Sequence, residues 1–229
     1  MNVREIKSRD ELDSVAADLI VDILGRAIND KGIAHLAVSG GSTPNGLFQL
    51  LANGYQNELH WEKVMIWWVD ERWVPVDHDE NNYAQANKAG LGSLGAKLFP
   101  MDTSFSNAQE TGDNYIGLLK QYFEGDTPPA LDLILLGAGT DGHTASLFEE
   151  HIELLDDSRW VVVTRNPHNL QTRISLNFNV LIKAHHQILL IPGQNKKETL
   201  ERIKNRTEPF LPIQIVMSKA NNPVILTDI

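Results

Sequence analysis

Leu131-Asp132-Leu133-Ile134-Leu135-Leu136-Gly137-Ala138-Gly139-Thr140-Asp141-Gly142-His143-Thr144-Ala145-Ser146-Leu147-Phe148 decides the fold. The run 131–136 is strand-like and stops at a turn holding three glycines. Asp141 and His143 follow two residues apart, and a short helix-like segment comes next. Reactive side chains on a glycine-rich turn after a strand stand where open α/β sheets bind ligands.

Upstream, Ile33-Ala34-His35-Leu36-Ala37-Val38 reads as a first buried strand. It ends at Ser39-Gly40-Gly41-Ser42-Thr43-Pro44, where glycines free the backbone, a hydroxyl residue can cap, and Pro44 suits a first helical position. Before it, Ser8-Arg9-Asp10-Glu11 has the capping-box pattern. Apolar residues from Leu12 to Ile28 recur at helical spacing, and Gly32 supplies a stop. Val64-Met65-Ile66-Trp67-Trp68-Val69 is a second strand, with Asp70-Glu71-Arg72 at its end. Residues 83–91 and a segment opening at Asn107 read as helices. Downstream of the opening stretch, 160–164, 173–176, 187–191 and 224–226 read as strands. Asn177 begins a short helix, and 198–203 and 211–217 read as helices. Strands alternating with helices imply an α/β fold, a mainly parallel sheet with helices on both faces. The strands on either side of Pro128-Pro129 read as members of one sheet, and the chain as a single domain over 1–229. Strand ends near Gly40, Asp70, Gly137 and Gly193 then meet on one edge.

With 229 residues, 42% apolar and 22% charged, the chain can bury a full core. A net charge of −10 argues against a general nucleic-acid or anionic-membrane binder, so any anionic ligand needs a local cluster of Lys and Arg. There is no cysteine, which excludes disulfides, thiolate catalysis and Cys-ligated metals and fits a reducing compartment. No run has the length of a membrane span, and residues 1–7 have no signal-peptide core, so the expected location is the cytoplasm. Nothing in the pattern specifies an oligomeric state.

The residues alone leave several alternatives. The 39–44 loop is either an anion site, with free N–H groups at a helix start, or an ordinary capped turn. Asp70-Glu71-Arg72 is either a surface salt-bridge cluster or substrate-facing. Asp77-His78-Asp79 invites a metal, although loop acids are ordinarily just solvated. His185-His186 leads into a strand. His143 is the best acid/base residue, since imidazole carries a proton both ways near neutral pH; its other reading is a helix-cap residue. No Gly-x-Ser-x-Gly elbow is present.

Five motifs in order carry a resemblance: Gly40-Gly41-Ser42-Thr43-Pro44, Asp70-Glu71-Arg72-x-Val74-Pro75, Gly137 through Phe148, Thr172-Arg173-Ile174-Ser175-Leu176, and Gly193-x-x-Lys196. Together they resemble the bacterial-type 6-phosphogluconolactonases, which are related to glucosamine-6-phosphate deaminase and ribose-5-phosphate isomerase. The resemblance implies a Rossmann-like parallel sheet with a small appended part. It also implies hydrolysis of 6-phospho-D-glucono-1,5-lactone, with no metal or organic cofactor. By the same resemblance His143 is the general base, and Arg72 and Asp141 lie beside the reacting ring. Gly40, Gly41, Ser42 and Thr43, with Arg173 and Lys196, hold the phosphate, and Asp70 belongs to the substrate site. Two departures from the family pattern are Glu149-Glu150, where Pro-Gly is frequent, and Asn81-Asn82, where Ser-Asn is frequent.

The deaminases are similar to this chain but carry Tyr where it has Arg72, and Ile and Phe where it has Thr144 and Ser146. A sugar-phosphate-responsive regulator would need a DNA-binding segment, which neither the charge nor the residues before Ser8 suggest.

Overall fold

The computed structural model describes residues 2–125 and 127–229, so Met1 and Asp126 lie outside the description. A seven-stranded sheet forms the centre. In chain order its members are β1 (Asn2–Glu5), β2 (Ala34–Val38), β3 (Val64–Trp68), β5 (Lys97–Phe99), β6 (Leu133–Gly137), β9 (His186–Leu190) and β10 (Pro223–Thr227). Across the sheet they run β1-β10-β9-β6-β2-β3-β5, every neighbouring pair parallel. A second sheet of three antiparallel strands holds β4 (Asp70–Arg72), β8 (Thr172–Leu176) and β7 (Val161–Arg165) in that order. The strands flanking Pro128-Pro129 do share the central sheet, and the three-stranded sheet is the small appended part that the resemblance implies. The sequence segments 160–164 and 173–176 are strands, but they belong to the smaller sheet. Asp70-Glu71-Arg72 is not the tail of β3 but a short strand of its own.

Alternation along the central strands builds two cores. In β6, Leu133 and Leu135 face one apolar cluster, whereas Ile134 and Leu136 face the other. The first cluster is covered by α1 (Arg9–Lys31), α2 (Asn45–Gly54) and α3 (Asn82–Lys88). The second is covered by α4 (Ala108–Tyr122), α5 (Phe178–Lys183), α6 (Lys197–Asn205) and α7 (Pro212–Lys219). Helices therefore lie on both faces, as the alternating pattern predicts.

The helix boundaries follow local chemistry. Ser8 accepts from the Glu11 amide at the start of α1, and Gly32 closes it at φ 85°. Asn107 caps α4 in the same way. Two local expectations fail. No side chain caps α2, and Pro44 stands at the cap position itself, in place of the expected hydroxyl. The segment after His143 is not helical: Thr144 and Leu147 exchange backbone hydrogen bonds, and Ala145 has φ 50°. Thr144 Oγ1 donates to the Gly137 carbonyl and the Ser146 amide donates to Ser175 Oγ, tying this turn to both sheets. A 3-10 helix follows only at Glu149–Asp156. Among the described residues no helix is long and apolar enough to cross a membrane.

Candidate functional site

The order of the central sheet locates the site. From β2 the chain moves outward to β3 and β5, whereas from β6 it moves to β9 and β10 on the other side. The switch point lies between the paired strands β2 and β6, and the crevice past their C-terminal ends is where such sheets bind ligands. The loop after β2 and the glycine turn after β6 both open there. They line a cleft of about 270 Å³ together with Asp70, Arg72 and Arg173 from the smaller sheet and Lys196 from the turn after β9. Gly40, Gly41, Ser42, Thr43, Asp70, Arg72, His143, Arg173 and Lys196 thus share one cleft, and Asp141 stands directly behind His143. A larger cavity of about 640 Å³ lies under Phe210 and Ile152, but its lining is mostly apolar and includes no histidine among the described residues.

One end of the cleft carries an acid/base pair. Asp141 Oδ1 lies 2.6 Å from His143 Nδ1 and accepts from the His143 amide at 3.2 Å. A carboxylate only accepts, so Nδ1 holds the ring proton and Nε2 is left as the basic nitrogen. Partial burial works to raise the Asp141 carboxyl. The hydrogen bond and charge of His143, with a further hydrogen bond from His168, outweigh it and hold the group well below the usual carboxylate range. Gly139 makes room for the ring, because a Cβ there would stand 2.2 Å from His143 Nδ1. The other face of the ring packs on Phe148 at a centroid distance of 4.7 Å.

The other end is cationic. Arg72 and Arg173 are directly opposed across β4 and β8. Burial, and after it the charge of Arg72, push the Arg173 guanidinium down from its ordinary value. The Nε atoms of both arginines are buried without a hydrogen-bond partner among the described residues. Lys196 is lowered by burial and then by the charge of Arg9. Like charges held close at partial burial are a standing cost that a bound anion removes. The cleft is therefore locally positive although the chain carries −10 overall.

Beneath the cleft, Asp70 Oδ2 accepts from Ser146 Oγ at 2.6 Å, and its carbonyl accepts from Asn82 Nδ2 at 2.9 Å. Glu71 is fully buried, not a surface acid: its carboxyl accepts from the backbone amides of Arg72, Asn82 and Tyr83. Burial pushes Glu71 up to about 7 against those donors. The polar-loop residues are occupied locally, with Asp79 paired to Lys88 and His78 accepting from the Glu80 amide.

Three residues join the site that were not among the expected site residues. Asn82 lines the cleft with its Oδ1 buried and unpartnered. Ser39 does the same with its hydroxyl. His168 places Nε2 2.9 Å from the second oxygen of Asp141. Asn82 and Ser39 adjoin recognised motifs, which is a usable signal. His168 is 25 residues from His143 and lies on a loop between β7 and β8, so only the second sheet brings it near.

Residues 7–225 match the family described as glucosamine-6-phosphate isomerases/6-phosphogluconolactonase. The chain is 32% identical to a 6-phosphogluconolactonase of Rhizobium meliloti over 231 residues, covering 97% of this chain and 96% of the relative. It is 34% identical to one from Synechocystis over 183 residues, covering 78% and 74%. A crystal structure of a 6-phosphogluconolactonase from Shewanella baltica matches with a TM-score of 0.87 at 27% identity, over 99% of this chain and 97% of that one. A shared fold, together with identity at this level along almost the whole length, places the chain in the glucosamine-6-phosphate isomerase/6-phosphogluconolactonase family.

Proposed function

We propose that the chain hydrolyses 6-phospho-D-glucono-1,5-lactone to 6-phospho-D-gluconate, the second step of the oxidative pentose phosphate pathway. The observation that carries this reading is the 2.6 Å pairing of Asp141 with His143 in the same cleft as Arg173, Lys196 and the glycine loop. One end suits proton transfer and the other suits a phosphate.

In this reading the phosphate docks on residues 40–43, Arg173 and Lys196. Its binding energy holds the lactone so that the carbonyl meets both water and His143. Arg173 is suited to a bidentate contact and Lys196 to a point-charge one. His143 Nε2 takes a proton from water as the water oxygen bonds to the lactone carbon. Arg72, with N–H groups of the glycine turn, stabilises the oxyanion. The bond from the carbonyl carbon to the ring oxygen then breaks, and the imidazolium returns its proton to that oxygen. Asp141 holds the ring in the productive tautomer and offsets the imidazolium charge. Ser39 Oγ and Asn82 Oδ1, unpartnered in the cleft wall, are available to sugar hydroxyls. A positioned base of this kind contributes about 10²–10⁴-fold.

The test is a parallel assay on the purified protein of lactone hydrolysis, corrected for spontaneous opening, and of ammonia release from glucosamine 6-phosphate. Lactonase turnover without ammonia supports the proposal. Ammonia release without lactonase turnover replaces it with the deaminase reading.

A further inference from the structure

The glycine loop is braced by the first turn of α1. An Arg9 Nη2 group donates to the Thr43 carbonyl. The same side chain is locked to Asp13, with Nε donating to both carboxylate oxygens at 3.1 Å and Nη2 3.0 Å from Oδ1. Asp13 is buried, 7% exposed, although it lies on a surface helix. The space for this bracket depends on Gly46 in α2, where a Cβ would stand 2.5 Å from Asp13 Oδ2 and 3.9 Å from Arg9 Nη2. An ordinary i,i+4 ion pair on an exposed helix face has no such requirement.

The bracket also reaches the opposite wall electrostatically. The charge of Arg9 adds to burial in lowering Lys196. Lys196 takes part in none of the ion pairs among the described residues. Arg9 is thus a cation on the loop side of the cleft that is anchored by a carboxylate, while Lys196 is one without such an anchor. A phosphate dianion between the loop and Lys196 relieves their repulsion. The α2 helix starts here without a side-chain cap, and the local bond that spans Thr43 is a long one, from the Asn45 amide to the Ser42 carbonyl at 3.4 Å.

We propose that Arg9, braced by Asp13 in the space left by Gly46, is a positioning residue for the substrate phosphate. It fixes residues 40–43 through the Thr43 carbonyl and supplies a second positive charge on the loop side of the cleft. The proposal rests on the phosphate end assigned under the proposed function, and it adds a residue outside the five motifs.

The experiment compares wild type, Arg9→Ala and Arg9→Lys on 6-phosphogluconolactone and on unphosphorylated glucono-1,5-lactone, with inorganic phosphate as a competing probe. Arg9→Ala should raise KM for the phosphorylated lactone and Ki for phosphate each about tenfold, the scale of one charge-assisted contact, with use of the unphosphorylated lactone changed less than about twofold. Arg9→Lys should recover part of both. Equal loss on the two lactones, or an unchanged phosphate Ki in a folded variant, overturns the proposal. If Arg9→Ala does not fold, Arg9→Gln keeps a donor for Thr43 and should show the same phosphate-selective loss at smaller size. Calorimetric titration of inorganic phosphate into wild type and variant reads Arg9 even without turnover. Absent turnover in the wild type counts against the lactonase reading alone, and equal phosphate affinity in the two proteins counts against Arg9 alone.

Discussion

Asp141 divides its carboxylate between two imidazoles, and His143 receives the closer oxygen, at 2.6 Å from Nδ1 against 2.9 Å for His168 Nε2. His143 lies in the cleft, its side chain 34% exposed, whereas His168 is 68% exposed on the loop above. The shared carboxylate orients the first ring, and the second ring holds the carboxylate.

That division predicts unequal mutational effects. Asp141→Asn keeps an acceptor for Nδ1–H but loses the negative charge that offsets the imidazolium, so kcat should fall by about tenfold or more with KM little changed. His168→Ala removes only the outer support and should lower kcat by roughly twofold to fivefold, since the remaining pair keeps its geometry. Steady-state kinetics on both variants decide the point. A larger loss for His168→Ala than for Asp141→Asn contradicts the arrangement.

Arg173 is 9% exposed, is pushed down by burial and then by the Arg72 charge, and has a buried Nε without a partner. Arg173→Ala should raise KM for the phosphorylated lactone by about 10- to 100-fold, the value of a charged hydrogen bond, and affect unphosphorylated gluconolactone much less. Comparable losses on the two substrates would remove Arg173 from the phosphate end.

Gly40 is required by what faces it. A Cβ at that position would stand 2.1 Å from Asn82 Cγ and Oδ1, and Asn82 is 1% exposed with its amide committed to the Asp70 carbonyl. Gly40→Ala should therefore cost about 1–3 kcal/mol in stability through overpacking. It should also reduce kcat/KM at least about tenfold by displacing the cleft wall. Thermal melts and kinetics check it, and wild-type values in both would show that Asn82 moves aside freely.

His35 predicts a pH dependence of stability. It is 3% exposed, packs on Phe123 at a centroid distance of 4.6 Å, and its Nδ1 accepts from the Trp67 indole N–H at 3.1 Å. Burial, the largest cause, lowers it to about 4, with Lys31 acting in the same direction against Asp132. Between pH 6.5 and about 4 the unfolded chain binds the proton and the folded chain does not. Stability from His35 is therefore present above 6.5 and falls as pH drops through that window, by on the order of 3 kcal/mol. Glu71 has the opposite sign: raised from 4.5 to about 7, it favours the fold at low pH and loses that contribution as pH rises through 7. Comparing denaturant unfolding of wild type and His35→Gln isolates His35, because Glu71 is common to both. The wild type should lose more stability on acidification, and parallel curves would argue against a neutral buried imidazole.

The legible parts of the chain were those with strong local patterning. β2, β3, β6 and β9 are apolar runs, the 9–31 helix has its cap and stop written beside it, and the motif residues collect in one cleft. Edges and non-local pairings were not legible. β1 is an edge strand, exposed or half-buried throughout, so Asn2-Val3-Arg4-Glu5 shows no alternation. β4 is three residues, two of them acidic, and becomes a strand only because β8 pairs with it. Glu71 looks like a surface acid until three backbone amides converge on it. The positive φ of Ala145 and the 144–147 turn come from ties to Gly137 and Ser175, which no local propensity encodes.

The rate of lactone hydrolysis in folded His143→Ala, over the spontaneous background, decides whether His143 with Asp141 activates water against a phosphate-anchored lactone. A base at His143 predicts a fall in kcat of about 10²–10⁴-fold, with KM for the phosphorylated lactone retained within a few-fold. A variant that folds normally and hydrolyses the lactone near the wild-type rate contradicts it.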